Sequence, residues 1–360
     1  MAVDNKTAAF RADRLTRAVD LLCAGVEDGA MPGGVVCLYR NGEPILNQAF
    51  GLQDETRPAT TDTLYDLASL TKPIATASSI VTLIEQGRLV LNATVGTLLG
   101  DSVPEHLAKI TVANLLTHTS GISAWTACYN NGTGLEAAVV AIFALPAPTA
   151  LPGTHYEYSC LNFILLARIL LKLTGQTVEV FAKENVFTPL GLETLCFHPT
   201  ENPERVAPTI SREGPSKDTA LTGIVHDGNA RGIEMQSGDV SGNAGLFGTA
   251  SDVAAFGEAI RTGKLFGTPT TARVLSSQIP ASVGGHSLLF FAHPNGLCPS
   301  GDLLSEKAVG HSGYTGTVLL IDPLYDLTVA LLTNSVYGDG KASFLILRRK
   351  FLNALAAALI

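Results

Sequence analysis

Residues 317–333 read TVLLIDPLYDLTVALLT, and this stretch, together with a similar one near the other end of the chain, decides the fold. Two apolar runs, 317–322 and 327–333, are separated by a short turn-forming segment. β-rich runs joined in this way predict an antiparallel hairpin. The pattern after it predicts a final helix over 343–358, whose apolar end should face the core.

A second hairpin is predicted near the start of the chain. The runs 34–40 and 43–51 flank Asn41-Gly42, two residues that tolerate the positive φ of a tight hairpin turn. An amphipathic pattern over 15–27 predicts a helix before them. Because both ends of the chain supply strands and a flanking helix, we expect them to build one antiparallel sheet together.

The middle of the chain alternates helical patterns with loops rich in Pro and Gly. Helices are predicted over 69–86, ending at Gly87, and over 161–173, ending at Gly175, because glycine is the usual C-terminal cap. A further helix is predicted over 251–261.

Ser251 is the predicted N-cap of that helix. The fold class is therefore α/β in the broad sense (α+β), an antiparallel sheet flanked by helices with an inserted helical lobe. We assign residues 1–75 and 235–360 to the sheet lobe and 76–234 to the mainly helical lobe.

Composition excludes several classes of function. Of 360 residues, 46% are hydrophobic and 16% charged, which is typical of a folded chain large enough for two lobes. The net charge of −8 and the lack of a dense basic block argue against a nucleic acid partner. No apolar stretch reaches about 18 residues, so no membrane span is expected. No apolar leader is visible at the start, so we expect a cytoplasmic protein.

Six cysteines are present and none forms a CxxC pair, which favours free thiols over a disulfide framework. The histidines are scattered, so we predict no metal site, and no organic cofactor is expected.

The segment Ser69-Leu70-Thr71-Lys72 is the first candidate for chemistry. A serine needs an adjacent base to act as a nucleophile, and residues i and i+3 of a helix share a face. Pro73 predicts that Ser69 lies at a helix N-terminus, where free N–H groups favour an oxyanion and lower the pKa of the lysine. The alternative is that Ser69 is only an N-cap and Lys72 a solvated surface lysine.

Tyr158-Ser159-Cys160 is the second candidate, between a loop and an apolar helix. A tyrosine there can relay protons if nearby cations stabilise its phenolate. The alternative is a half-buried aromatic ring whose hydroxyl caps the backbone, and Tyr156 is a weaker competitor for the same role. Cys160 itself has no nucleophile signature, and a buried inert thiol is favoured.

The third candidate is residues 310–316, GHSGYTG, directly before an apolar strand. Glycines let the backbone approach a ligand closely. His311 can donate a hydrogen bond or a proton near neutral pH. The alternative is a tight turn with a surface histidine.

The order and spacing of the three segments resemble the motifs of the superfamily of class C β-lactamases, low-molecular-mass penicillin-binding proteins and family VIII carboxylesterases. The matching segments are Ser69-x-x-Lys72, Tyr158-Ser159-Cys160 and His311-Ser312-Gly313. Three further stretches look like the same superfamily: 110–122 (ITVANLLTHTSGI), 225–229 (VHDGN) and 242–256 (GNAGLFGTASDVAAF). The resemblance extends from about residue 34 to residue 334.

The resemblance implies a serine β-lactamase/transpeptidase-like fold, with the site in the cleft between the sheet and a helical lobe. It also implies that Ser69 is the nucleophile, Lys72 the base or its partner, and Tyr158 the relay of a proton to the leaving group. His311 stands where the third motif usually has lysine.

The resemblance further implies an oxyanion hole made by the backbone N–H groups of Ser69 and Tyr314. Ser312, Gly313 and Cys160 would then contact the substrate.

Two positions depart from the superfamily pattern. Cys160 replaces the usual asparagine, and a thiol is only a weak donor and acceptor, which weakens the case for β-lactam turnover. His311 removes a permanent positive charge, which disfavours substrates that carry a carboxylate.

We therefore expect a serine hydrolase that acts through an acyl-enzyme on a small-molecule ester or amide, with an ester favoured. A β-lactamase or D-amino-acid peptidase ranks second and an acyl transferase third. The alternative outside enzymes is a penicillin-recognising or scaffold protein with weak or lost turnover, which the Cys160 replacement would support. The loops expected to shape the acyl pocket, 125–134 and 283–305, carry no recognisable motif.

Overall fold

The computed structural model describes residues 10–199, 201–210, 218–236, 238–338 and 341–360. The α-helices of these ranges are α1 (Ala12–Glu27), α2 (Ser78–Glu85), α3 (Val95–Leu99), α4 (Glu105–Ala108), α5 (Val112–Leu116), α6 (Gly134–Phe143), α7 (Cys160–Thr174), α8 (Val178–Ala182), α9 (Thr188–Leu190), α10 (Gly228–Glu234), α11 (Ala250–Arg261), α12 (Thr268–Val274) and α13 (Lys341–Ala358). The strands are β1 (Gly33–Arg40), β2 (Glu43–Gly51), β3 (Tyr65–Asp66), β4 (Cys196–Phe197), β5 (Thr209–Ile210), β6 (Ala220–Leu221), β7 (Leu246–Gly248), β8 (Phe291–Ala292), β9 (Val309–Gly313), β10 (Thr317–Asp322) and β11 (Leu327–Thr333).

The main sheet has six strands in the order β2-β1-β11-β10-β9-β8, and every neighbouring pair is antiparallel. β1 pairs with β11 from Gly34 opposite Thr333 to Arg40 opposite Leu327. The two predicted hairpins therefore lie side by side in one sheet. A smaller sheet has three strands in the order β3-β7-β4, and its strand β3 directly precedes the segment with Ser69 and Lys72. The predicted fold class is confirmed.

Both faces of the main sheet are covered, which explains its long apolar runs. Val35 and Cys37 of β1 belong to the core beneath α11, whereas Val36 and Leu38 belong to the core beneath α1 and α13. Because successive side chains of a strand point to opposite faces, a strand buried on both sides must be apolar throughout.

The turns and helix ends largely follow the sequence prediction. Asn41 and Gly42 adopt φ of 53° and 88°, the backbone of a tight two-residue hairpin turn. Gly87 and Gly175 also have positive φ, 69° and 74°, and follow the ends of their helices as predicted.

The predicted N-cap of α11 is wrong. The helix begins one residue earlier than predicted, at Ala250, so Ser251 already lies inside it. Thr249 has the extended backbone of an N-cap, and its side chain accepts a hydrogen bond from the N–H of Asp252.

The region predicted as one helix over 69–86 is helical, but it consists of three successive types of helix. A 3-10 turn (Ala68–Leu70) is followed by a π-helical turn (Lys72–Ala77) and then by α2. Pro73 has no N–H and its ring crowds the preceding turn, so the regular α-helical ladder begins only at Ser78.

The helical part is organised around α7, whose side chains are buried along most of its length. It packs against α3, α5, α6 and the π-helical turn. The lobe boundaries at residues 75 and 235 stay a prediction.

Other features of the described ranges can be stated briefly. All six cysteines are unpaired, as predicted. Within these ranges, no helix combines the length and apolarity needed to cross a bilayer. The predicted lack of an apolar leader concerns residues before Phe10, which lie outside the described residues.

Gly242 offers a test of how tightly α7 is packed. A methyl group on its Cα would lie 2.1 Å from the carbonyl oxygen of Phe163, a backbone atom of α7 that cannot rotate away. Gly242→Ala should therefore destabilise the protein by about 1–3 kcal/mol, the usual cost of overpacking. Thermal melting should show this loss. Gly296→Ala is the control, because its added methyl meets nothing within 4 Å. Equal melting temperatures for the two variants would contradict the predicted crowding.

Candidate active site

Ser69 lies in the 3-10 turn between β3 and the π-helical turn, half-buried at the edge of a cleft. Its Oγ accepts a hydrogen bond from Nζ of Lys72, at 2.9 Å. The contact predicted from the i and i+3 spacing is therefore present.

Lys72 is completely buried, so the alternative of a solvated surface lysine is wrong. Its Nζ donates to Oγ of Ser69, to the carbonyl oxygen of Asn243 at 2.9 Å and to Sγ of Cys160 at 3.5 Å. Three acceptors match the three N–H bonds of an ammonium group. The geometry therefore fits a protonated lysine.

The predicted lowering of the Lys72 pKa is wrong. Burial does lower the pKa of this ammonium, but the negative charge that Cys160 and Tyr158 carry once ionised, together with the Asp227 carboxylate, raises it by more. The net pKa lies above the ordinary lysine value. At neutral pH, Lys72 is thus a cation that donates to Ser69 rather than a ready base.

Tyr158 lies directly beside this cation, with Lys72 Nζ 5.0 Å from the centre of its ring. Its hydroxyl oxygen is buried and caps no backbone group of a described residue, and Lys72 and Ser69 are the polar side chains that act on it. Burial raises the pKa of the Tyr158 phenol, and the Lys72 charge lowers it only in part. Tyr158 is therefore a neutral phenol at rest.

His311 is a core residue of β9, only 1% exposed, so the alternative of a surface histidine is wrong. Its Nδ1 donates to the carbonyl oxygen of Ser312 at 3.0 Å, and its ring stacks on Phe291 with centroids 4.3 Å apart. Burial, together with the positive charge of Lys72, holds the pKa of His311 well below its usual value. His311 therefore donates a hydrogen bond, as predicted, but its lowered pKa disfavours the charged form that would supply a proton near neutral pH.

Two cavities meet at Ser69, and Tyr158 and Tyr314 also line both of them. The first, of about 250 Å³, extends along the third motif towards α13 and is lined there by Ser312, Gly313, Phe291, Leu297 and Arg348. The second, of about 370 Å³, is lined by Trp125, Cys160, His226, Asp227 and Ala244.

The structure thus brings all three predicted motifs around one serine. The oxyanion hole of the Ser69 and Tyr314 N–H groups stays a prediction. Tyr156, the weaker competitor of Tyr158, is not among the described residues that line these two cavities.

Asp66 is a site residue that the sequence prediction missed. Its Oδ1 accepts the N–H of Ala68 at 2.8 Å, and its Oδ2 accepts the N–H of His226 at 2.6 Å. Ala68 has a positive φ of 46°, an unfavourable conformation that this bond holds directly before Ser69. Burial raises the pKa of Asp66 to about 6. An aspartate at the end of a short strand is too common a pattern to have indicated this role.

Asn243 was also missed as a partner of Lys72. It lies in the stretch 242–256, which the sequence marked only by resemblance. The contact uses its backbone carbonyl, so its side-chain type carries no signal for it.

The described residues contain no group of three or more His, Cys, Asp or Glu side chains placed to hold a metal ion. The geometry around Ser69 places a buried cation and a buried phenol beside the serine.

Comparison with known proteins identifies the family. The family model described as Beta-lactamase matches residues 18–352. The chain belongs to the beta-lactamase family. The superfamily predicted from the three motifs is confirmed, and the protein is a member of a family of hydrolases.

Two curated relatives align with most of this beta-lactamase family member. The first, named N-acetylmuramyl-L-alanine amidase, from Bacillus subtilis (strain 168), is 29% identical over 92% of this chain and 83% of its own. The second, named putative D-alanyl-D-alanine carboxypeptidase, from Escherichia coli (strain K12), is 27% identical over 91% of this chain and 83% of its own.

A solved structure agrees with the fold. That of EstCE1, described as a hydrolase with promiscuous acyltransferase activity, has a TM-score of 0.74 and 21% identity and covers 94% of this chain and 98% of its own.

The protonation states of this beta-lactamase family site predict that the reactivity of Ser69 rises with pH. Both Lys72 and Tyr158 have pKa values above their ordinary ones, so the deprotonated form that can accept the Ser69 proton is scarce at pH 7 and grows as pH rises. The rate of Ser69 labelling by a fluorescent phosphonate should increase about tenfold per pH unit from 7 to 9. Circular dichroism at each pH controls for unfolding. A rate that levels off below pH 8 would show that a base with a lowered pKa is present.

Proposed function

We propose that this protein is a serine hydrolase that forms an acyl-enzyme on Ser69. The observation that carries the proposal is the 2.9 Å contact between Lys72 Nζ and Ser69 Oγ, made by a fully buried lysine at the meeting point of two cavities. A substrate carbonyl at Oγ has room for its acyl group in one cavity and its leaving group in the other.

In this proposal, Ser69 Oγ attacks the carbonyl carbon and its proton passes to the deprotonated form of the Lys72–Tyr158 pair. Tyr158, whose buried hydroxyl interacts with the side chains of Lys72 and Ser69, then gives a proton to the leaving group. The N–H groups of Ser69 and Tyr314 stabilise the oxyanion. In the second step, a water molecule attacks the acyl carbonyl in place of Ser69, and Ser69 is the group that leaves. The same residues move the protons.

An ester is the favoured substrate class. The cavity walls near Ser69 include the apolar side chains of Phe291, Leu297 and Trp125. His311 is neutral, and Cys160 offers no amide to orient a substrate. These features suit an uncharged acyl group and do little to bind a peptide backbone.

One observation favours a second candidate, a peptidase or amidase acting on a substrate with a free carboxylate. Arg348 lines the same cavity as Ser69, and its guanidinium makes no hydrogen bond or ion pair with a described residue. Burial lowers the pKa of Arg348, but arginine stays charged at neutral pH. The two curated relatives, named as an amidase and a carboxypeptidase, agree with this candidate.

Ser69→Ala should abolish turnover and leave the fold intact. Loss of one of the three acceptors of Lys72 costs about 1.5–3 kcal/mol, whereas loss of a covalent nucleophile costs on the order of 10⁶ in rate. Hydrolysis of a p-nitrophenyl ester, thermal melting and mass spectrometry of a phosphonate adduct are the measurements. A variant that keeps more than about a tenth of the activity excludes the acyl-enzyme on Ser69. An adduct on Cys160 would assign a thiol nucleophile, and no adduct on the folded wild-type protein would favour the scaffold alternative.

A substrate panel separates the two candidates. We predict that kcat/KM is highest for p-nitrophenyl butyrate, compared with nitrocefin, D-alanyl p-nitroanilide and a D-alanyl-D-alanine peptide with a free or an amidated end. If the free-carboxylate peptide is instead preferred, Arg348→Met should reduce its turnover about 10- to 100-fold and spare the amidated one, because a charge-assisted hydrogen bond is lost. Arg349→Met is the matched control, because Arg349 pairs with Asp302 outside the cavity.

A further inference from the structure

His118 is a fully buried, titratable residue that the proposed reaction does not use. It lies in the stretch 110–122, which the sequence marked by resemblance alone. Its φ of 55° falls in the left-handed region, which is uncommon for a residue with a Cβ. Such a conformation persists only where the surroundings over-determine it, and it often marks a functional site.

Beside ring contacts with Phe163 and His286, His118 makes three contacts with the segment around Tyr158. Its carbonyl oxygen accepts the N–H of Glu157 at 3.0 Å, and its Nδ1 accepts the N–H of Ser159, also at 3.0 Å. Its ring packs on the Tyr158 ring, with centroids 4.5 Å apart and planes inclined by 38°. His118 therefore holds the backbone on both sides of Tyr158 and contacts the ring between them.

These contacts require a neutral imidazole of one tautomer. Nδ1 accepts the N–H of Ser159, so the single ring proton must be on Nε2. A second proton, on Nδ1, would point at that N–H and remove the hydrogen bond. Burial, with the nearby positive charge of Lys72, keeps the pKa of His118 well below its usual value.

The facing imidazole of His286 is also uncharged. Its Nδ1 donates to the carbonyl oxygen of Ser287 at 2.7 Å, and burial lowers its pKa to about 4. His118 thus acts only as an acceptor towards the Tyr158 segment.

We propose that His118 is a positioning residue for Tyr158, fixing the phenol where its hydroxyl can exchange a proton with Ser69 and Lys72. The inference rests on the proposed function, in which Tyr158 relays the proton. His118 is not among the described residues lining the two cavities at Ser69, so it acts through Tyr158 and not on the substrate. Misplacement of a catalytic group by about 1 Å can cost 10²-fold in rate, so such a residue has a measurable effect.

Two substitutions distinguish the effect of the hydrogen-bond acceptor Nδ1 from the effect of the flat ring. His118→Asn keeps an acceptor at the position of Nδ1 and tolerates the positive φ, whereas His118→Phe keeps a flat ring and removes the acceptor. We expect kcat for a p-nitrophenyl ester to fall about 100-fold in His118→Phe and less than about tenfold in His118→Asn, with little change in KM.

The decisive readout is a double-mutant cycle with Tyr158→Phe. If His118 acts through Tyr158, His118→Phe should cost less than about threefold further in the Tyr158→Phe background. The same loss in both backgrounds would overturn the inference and leave His118 a general structural residue. Full activity of Tyr158→Phe alone would instead refute the proposed relay, so the two failures are distinguishable.

A second pair of variants covers the case in which His118→Phe does not fold. His118→Gln is polar like His118→Asn but moves its acceptor one bond further from the backbone, away from the Ser159 N–H. The inference predicts that Asn at this position supports at least about tenfold faster phosphonate labelling of Ser69 than Gln. Equal labelling by the two variants, at equal melting temperatures, would overturn it.

Discussion

The burial of one ammonium group is the constraint on which the rest of the structure depends. A charge taken out of water is costly unless hydrogen bonds compensate for it. The acceptors of Lys72 come from three distant parts of the chain: the turn at Ser69, the first residue of α7 at Cys160, and the carbonyl before β7 at Asn243. The cleft is therefore assembled only when all three segments are in place, and the same bonds that stabilise the cation fix the geometry of the serine.

The elements of the fold could be predicted where local pattern decides them. The two hairpins follow from apolar runs around turn residues, and the ends of helices from glycines such as Gly87 and Gly175. The irregular start of the helix after Ser69 could not be predicted, because it depends on how Pro73 and the buried Lys72 fit between neighbouring elements. The N-cap at Thr249 differs from the predicted Ser251 by two residues, which is the usual error of such patterns.

The candidate site shows a sharper division between what was and was not predictable. The residue types and their spacing pointed to Ser69, Lys72 and Tyr158, and the structure brings them together. Their protonation states could not be read from the sequence, because burial and neighbours set them. Lys72 has a raised pKa where a lowered one was predicted, and His311 is neutral in the core. Contacts made across long separations, such as Asp66 to His226, leave no local signal.

The pairing of β1 with β11 has a consequence for the order in which the chain can fold during synthesis. β1 is apolar on both faces, and β2 covers only one of its edges. Its other edge has no partner until residues 327–333 have left the ribosome. Contacts this distant in sequence form slowly, because a long loop must close before they contribute. The nascent chain therefore exposes an unpaired, hydrophobic strand for most of its elongation, and protection of that edge by a chaperone matters more for this topology than for one that pairs neighbouring strands.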